Sequence, residues 1–451
     1  MKIRVIIIVF LAVLLKQAMA LGPHEVLILA NDRSANSIEI AKEYARLRGI
    51  PEVNIVRLGF SAELTAKFPS ISPDEFSKFI WNPVMQAMKA RGIDDHILAW
   101  VYSTDFPTAI VFDPVISIQG LTFLRNRLPE KDKVYRGTYL SPLFAGPDNQ
   151  GSDGFSSQTF DVHREWLGED MPLPSMMLGY TGEMGNTKED VLKCLGRGAG
   201  SDGTAPAGTV YFVTNGDVRS SCRAWQFPRA VSELQRHGVN SVITNEFPAG
   251  AKIIGLMTGS AWVSPEAGAN TYLAGAMAEH LTSAAGVFNS GDQTKLTAWI
   301  QAGATASAGT VTEPLSIWNK FPCARFYVHY AAGCTMIESF FQSIRCPLQI
   351  LLVGDPLARP WGRKGEVILD GLDSEAVAGM IKVTADVKCS DESSYRNFMF
   401  LLDGKVVGHD MILHLNTAEL PEGAHMLRAV AYKTGFARNQ LFVEKKIIVK
   451  R

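Results

Sequence analysis

The chain of 451 residues lacks a surplus of either charge: 44 Lys and Arg face 45 Asp and Glu, a formal net charge of −1. With no basic stripe interleaved with aromatics, it carries no footprint for a polyanion, so a nucleic-acid partner is not expected. Beyond residue 15 it has no apolar run approaching the roughly 20 residues that a bilayer-spanning helix needs. It also lacks the clustered ligands of a structural zinc site. None of its six cysteines falls in a C-x-x-C pair, and the nine histidines are scattered. The Gly-rich stretch 179–188 lacks the G-K-[ST] ending that places a lysine and a hydroxyl on phosphate and magnesium. No metal or cofactor is therefore expected. A composition 47% hydrophobic and 20% charged excludes disorder, collagen-like repeats and a polytopic membrane protein.

What is present first concerns compartment. Lys2 and Arg4 precede an apolar run over residues 5–15, and Ala18-Met19-Ala20 offers small residues at the −3 and −1 positions of a peptidase site. This pattern predicts a cleaved secretory signal over 1–20, and an 11-residue run is short for a retained anchor. Loss of 1–20 removes Lys2, Arg4 and Lys16, leaving 431 residues with a net charge of 41 − 45 = −4. The cysteines (Cys194, Cys222, Cys323, Cys334, Cys346 and Cys389) all lie in the exported part, where bridges are permitted. Three of them within 323–346 make one local bridge an expectation. A helix between Cys334 and Cys346 would hold that particular pair too far apart to join.

From residue 24 to about 361, short apolar runs, polar turns and helix-period segments alternate. That rhythm predicts an α/β domain over 21–362 with a largely parallel sheet flanked by helices. Strands are expected at 25–30, 50–58, 97–102, 210–214, 241–244, 253–257, 304–312 and 348–353. A helix is expected over 37–48, stopped by Gly49. Residues 110–190 break the rhythm, and this insertion reads as an ordered cap or as a surface excursion. Beyond Pro360-Trp361-Gly362 the alternation has period two, with Asp403-Gly404 marking a hairpin. Residues 366–451 are thus expected to form an immunoglobulin-like antiparallel β-sandwich.

Ligands of open α/β sheets bind beyond the carboxyl ends of the strands, where loops and helix amino termini converge. Read along this chain, those ends carry Asn31, Asp32, Asp105, Asp217, Ser260, Glu313 and Asp355. Asn, Asp and Ser are also what turns and caps require, so the pattern locates an edge better than it assigns roles. His280 and Ser283 are the candidate base and nucleophile. Leu273, Met277, Leu281, Ala284 and Ala285 recur at helical spacing, and a helix would set His280 one turn from Ser283. A strand would separate them, and a histidine bonded to a backbone carbonyl is the plain alternative. Glu313, with Lys320 close behind, reads as an acid/base pair or an ion pair. Asp105 and Glu313 complete the candidate catalytic set, while Asn31, Asp32, Asp217, Ser260, Lys320 and Asp355 form the candidate ligand-binding set. The segment 305–309 is similar to a G-x-S-x-G elbow, but the order is helix, then strand, the reverse of what that elbow needs.

Taken together, residues 276–283, 293–305, Gly309-Thr310-Val311-Thr312-Glu313-Pro314, Lys320-Phe321-Pro322 and Gly354-Asp355-Pro356-Leu357-Ala358 resemble an uncharacterised family of exported bacterial proteins associated with exosortase, a membrane sorting transpeptidase. The resemblance covers about residues 24–361 and implies context rather than a reaction. The order of the last strands is also similar to the caspase/gingipain-like fold. There the histidine position falls at Gly259-Ser260 and the cysteine position near Ser283, so the peptidase dyad is missing. The chain ends in Lys450-Arg451 after a β-run, without the hydrophobic stretch and basic tail of an exosortase substrate, and so reads as a companion of that system. Two functions remain open: a hydrolase-like or transferase-like enzyme acting on envelope or extracellular polymer, or a non-catalytic protein that recognises envelope glycan or protein.

Overall fold

A computed structural model describes residues 21–147, 156–362, 365–372, 374–389, 395–433 and 439–450. The predicted signal segment 1–20 and part of the 110–190 insertion lie outside these residues. Ten strands form the principal sheet: β1 Val26–Asn31, β2 Ile55–Leu58, β3 Ala99–Tyr102, β4 Ser175–Met177, β5 Thr209–Val213, β6 Asn240–Thr244, β7 Lys252–Gly259, β8 Thr271–Leu281, β9 Ala306–Thr310 and β10 Ile350–Gly354. Their order is β2-β1-β3-β4-β10-β9-β8-β7-β5-β6. The central strands are buried on both faces, which explains their continuous apolar runs.

Every neighbouring pair is parallel except β9 and β10, which run antiparallel from Ala306↔Gly354 to Thr310↔Ile350. That single step divides the sheet into two parallel halves. Outward from it, one half reads β10-β4-β3-β1-β2 and the other β9-β8-β7-β5-β6. In each half the first strand in sequence has the second on one side and the third on the other, so the topology repeats. Because the halves run oppositely, their carboxyl ends leave opposite edges of the sheet. The strand-end residues named from the sequence therefore do not share one edge.

Helices flank the sheet. The first, α1 (Ala35–Arg48), begins where the Ser34 side chain accepts from Ser37 N and ends at Gly49, whose φ of 65° suits glycine. Further along lie α2 (Phe160–Leu167), α3 (Lys188–Ser201), α4 (Val218–Ala224), α5 (Thr297–Gln301) and α6 (Met336–Ser343). Within the insertion, β4 and α2 are ordered elements, and one hydrophobic core runs through the whole α/β unit.

The predicted helix around His280 is instead β8. It lies between β7 and β9 with eight of its eleven residues buried, so apolar side chains on both faces imitate helical spacing. All six cysteines are unpaired, so the expected local bridge in 323–346 is not formed; α6 does separate Cys334 from Cys346.

The C-terminal strands are β11 Glu366–Asp370, β12 Ala376–Val377, β13 Met380–Lys388, β14 Tyr395–Leu402, β15 Lys405–Gly408, β16 Ile412–Asn416, β17 Gly423–Lys433 and β18 Gln440–Val449. They make a three-stranded sheet, β11-β13-β16, and a five-stranded one, β12-β18-β17-β14-β15, mostly antiparallel. Val383 and Ala385 of the first share a core with Phe400, Leu427 and Ile447 of the second. On the other face of the five-stranded sheet, Met399, Leu401 and Val430 form a separate cluster with Tyr432. Here the two units meet. Arg428 donates to Gly49 O and lies over the Phe442 ring, while Arg359 donates to Gln440 O at 3.1 Å. Among the described residues no helix is long and apolar enough to cross a membrane.

Candidate functional site

The two halves each bring some of the candidate residues to a crevice at their own edge. At the end of β1, Asn31 Nδ2 donates to Asp105 O at 2.7 Å, closing the gap to the end of β3. Its Oδ1 accepts from Arg33 N, and its backbone N donates to Ser37 Oγ, both at 3.0 Å. The other half repeats the device. Asn215 Nδ2, after β5, donates to Gly259 O at 2.9 Å, its Oδ1 accepts from Asp217 N at 2.9 Å, and its N donates to Ser220 Oγ at 3.1 Å. The same clasp thus spans the point in each half where strand order reverses, the usual ligand crevice of such sheets.

The crevices differ in chemistry. Beside Asn31 sits Asp105, half-buried and held at φ 59°, a left-handed conformation that costs a non-glycine residue energy. Its carboxylate accepts from Ser34 Oγ on one oxygen and from Thr181 Oγ1 at 2.6 Å on the other. Thr104 and Thr181 hydroxyls lie 3.0 Å apart. A carboxylate with three hydroxyls results, drawn from the ends of β1, β3 and β4. Neighbouring Asp32 points elsewhere and pairs with exposed Arg57. In the other crevice Asp217 caps α4, accepting from Arg219 N at 2.9 Å and pairing with its guanidinium at 3.1 Å. Ser260 turns back to donate to Trp262 O at 2.8 Å.

His280 is not placed as a base for Ser283. It is 1% exposed, its Nδ1 accepts from Trp299 Nε1 at 2.9 Å, and its Nε2 donates to Thr294 O at 3.1 Å. Burial, and then the charges of Arg223 and Lys295, hold it down at about 4, so the ring is neutral. Ser283 lies beyond the end of β8, and no hydrogen bond joins it to His280 among the described residues. It instead lines a cavity of about 100 Å³ with Arg219, Glu313 and Pro314. Glu313 is exposed there and accepts from Leu315 N at 2.7 Å. Lys320 does not reach it. That lysine is buried, donates to Tyr135 O at 2.8 Å, and is pushed down to about 8 by burial. Asp355 belongs to the interior: Tyr44 Oη donates to it at 3.0 Å and Arg48 pairs with it. The candidate set is therefore dispersed and does not form one site.

Sequence reading missed two other groups. Arg223 of α4 and Glu279 of β8, both 1% exposed, face each other at 2.5 Å. Burial raises Glu279 to about 7 against the pull of Arg223. A cavity of about 840 Å³ lies between the two units. Its walls carry Lys42, Arg57, Arg91, Lys405 and Arg428 with Glu52, Asp403 and Glu444, over an apolar floor that includes Ile38, Ile50 and Met426. Arg428 pairs with Glu444 at 2.7 Å, and Arg91 donates to Val53 O at 2.7 Å and Ile55 O at 2.8 Å. Lys42 and Lys405 are exposed and form no ion pair among the described residues, which leaves the cavity net positive. No signal within either unit marks a cavity made by their contact. The Asn31 to Ser37 and Asn215 to Ser220 spacings, by contrast, were open to comparison.

The buried thiols are not poised for attack. Burial raises Cys194 and Cys323 to about 12 and Cys346 to about 11. Among the described residues no group of three or more His, Cys, Asp and Glu is placed to hold a metal.

No family model and no curated protein matches this sequence. Among solved structures, the fibronectin(III)-like modules of Clostridium thermocellum CbhA are 26% identical over 24% of this chain and 54% of theirs, with a TM-score of 0.17. This chain thus spans about half of that structure. The Clostridium perfringens spore cortex lytic enzyme SleM is 9% identical, covering 94% of this chain and 90% of its own, with a TM-score of 0.18. The endo-beta-1,4-mannanase from Thermotoga petrophila is also 9% identical, covering 97% and 99%, with a TM-score of 0.17. Superpositions this slight assign neither a fold relationship nor an activity.

Proposed function

We propose that this protein is an exported, envelope-associated recognition protein that binds an acidic glycan strand in the cavity between its α/β unit and its C-terminal unit, which we read as an immunoglobulin-like sandwich. The sequence resemblance to exosortase-associated proteins supplies the cellular setting. The observation that carries the reading is the cavity itself: about 840 Å³, walled by five cationic side chains against three acidic ones, with Lys42 and Lys405 on opposing units. Clefts between domains with apolar floors and a few convergent polar groups are the usual ligand sites. The covalent alternative loses support because His280 is neutral and fully bonded and the buried thiols titrate far above neutrality.

The test is co-sedimentation of the signal-free protein with an immobilised acidic polysaccharide, alginate serving as probe. The double variant K42E/K405E reverses both free lysines and is expected to weaken binding at least about tenfold, because each lost charge contact contributes about 1 kcal/mol. Binding that is absent in the wild type, or unchanged in the variant, would contradict the proposal.

A second reading is favoured by one observation. Asp105, strained and held among three hydroxyls at the crevice beside β1, has the makings of a carboxylate acid/base without a covalent nucleophile. On that reading the protein is a hydrolase-like or transferase-like enzyme, and Asp105→Asn abolishes polymer turnover. Turnover unchanged in that variant would remove this reading.

A further inference from the structure

Export through a cleaved signal would make Leu21 the first residue of the mature chain, since Ala18 and Ala20 occupy the −3 and −1 positions. The structure gives that residue an unusual setting. Leu21 is 2% exposed, and its backbone nitrogen donates to Glu338 Oε1 at 2.9 Å inside the protein. Glu338 is wholly buried near the start of α6. Its Oε1 also accepts from Phe160 N at 3.1 Å, at the start of α2, and its Oε2 from Thr335 N at 2.9 Å and Thr335 Oγ1 at 2.8 Å.

Every one of those donors is neutral. Among the described residues no lysine, arginine or histidine pairs with Glu338, and it shares the interior with Glu25, a second buried carboxylate that it repels. Glu25 itself accepts from Gly22 N at 2.7 Å. A buried carboxylate without a countercharge is costly. The sequence motif and the hydrogen bond meet at the same atom.

We infer that cleavage of the Ala20–Leu21 bond creates an α-ammonium group at Leu21 that forms a buried ion pair with Glu338, so that signal removal completes the folded state. This rests on the export reading above. The step is a hydrolysis: water adds across the amide, Ala20 leaves as a carboxylate, and the freed Leu21 amine takes up a proton. The unperturbed α-amino group titrates near 7.7–8.0, so a neighbouring carboxylate keeps it charged at neutral pH. In the uncut chain the same nitrogen is a neutral amide that donates to Glu338 but brings it no countercharge. Through Phe160 the pair also fixes the start of α2, and so part of the insertion.

Three measurements test this. Intact mass of the protein recovered from the envelope of an expressing bacterium is expected to correspond to residues 21–451. An uncut chain held in the cytoplasm would defeat the export reading, whereas cleavage at another bond would defeat this inference alone. Next, the chain released by a protease that leaves nothing before Leu21 is compared with one bearing a Gly-Ser extension. The extension is expected to reduce the folding equilibrium at least about tenfold in the wild type and much less in E338Q. Equal losses in both backgrounds, or none, would overturn the pair. Finally, the native Leu21 amine is expected to acylate at pH 7 far more slowly than in the urea-unfolded chain; equal rates would overturn it even if E338Q does not fold.

Discussion

At the scale of single residues, the environment decides chemistry more than residue type does. His280 has the identity of a general base, but Trp299 and the Thr294 carbonyl use both of its nitrogens, and burial keeps it neutral. A histidine whose value falls from 6.5 in the unfolded chain to about 4 in the fold binds more protons when unfolded. Its contribution is therefore complete above 6.5 and is lost as pH falls toward 4. In His280→Gln the stability deficit relative to the wild type is expected to shrink by about 3 kcal/mol between pH 6.5 and pH 4, measured by urea unfolding. Glu279, raised to about 7, works in the opposite direction in both proteins and drops out of the difference. A deficit independent of pH would show that the ring is not held neutral. Thiol reactivity gives a second check. Cys222 and Cys389 are half-exposed and the other four buried, so iodoacetamide at pH 8 is expected to label those two in the native protein and all six only after unfolding. Prompt labelling of Cys323 or Cys194 would contradict the packing described.

Among the elements, the first β-α-β unit was legible because a stop signal coincides with periodicity: the helix expected over 37–48 ends at Gly49, as α1 does, and the structure adds only its first turn, capped by Ser34. Most strands of the principal sheet were legible as apolar runs. The two that were missed each have a physical reason. β4 has only three residues and is too short to carry a pattern, and β8 is buried on both faces, so spacing cannot separate helix from strand. The site was less legible than the sheet. Residues at strand ends were found, but the antiparallel step between β9 and β10 that sends them to opposite edges is a property of strand order, which spacing does not encode. β9 illustrates what small residues contribute. An added methyl at Gly309 would lie 2.6 Å from Ala285 Cβ and 2.8 Å from Ala285 C. Gly309→Ala is accordingly expected to destabilise by about 1–3 kcal/mol in denaturant unfolding, and a neutral result would mean that the 284–286 loop yields freely.

In the whole molecule, two similar half-sheets share one core, and a C-terminal unit rests against one of them. Repetition explains the matching asparagine clasps. The two crevices differ in what lies beside the clasp: one holds Asp105 among hydroxyls and the other a capping aspartate. The contact between units, made by Arg428, Phe442 and Arg359, creates a basic cavity that neither unit has alone. Hydrogen–deuterium exchange of the signal-free protein with and without alginate tests that assignment most directly. The account predicts slowed exchange in two segments distant in sequence, 38–57 and 401–428, which face each other across the cavity, with exchange at 31–37 and 104–105 unchanged. Protection confined to 31–37 and 104–105 would instead place the ligand at Asp105, and protection in neither region would contradict the central claim.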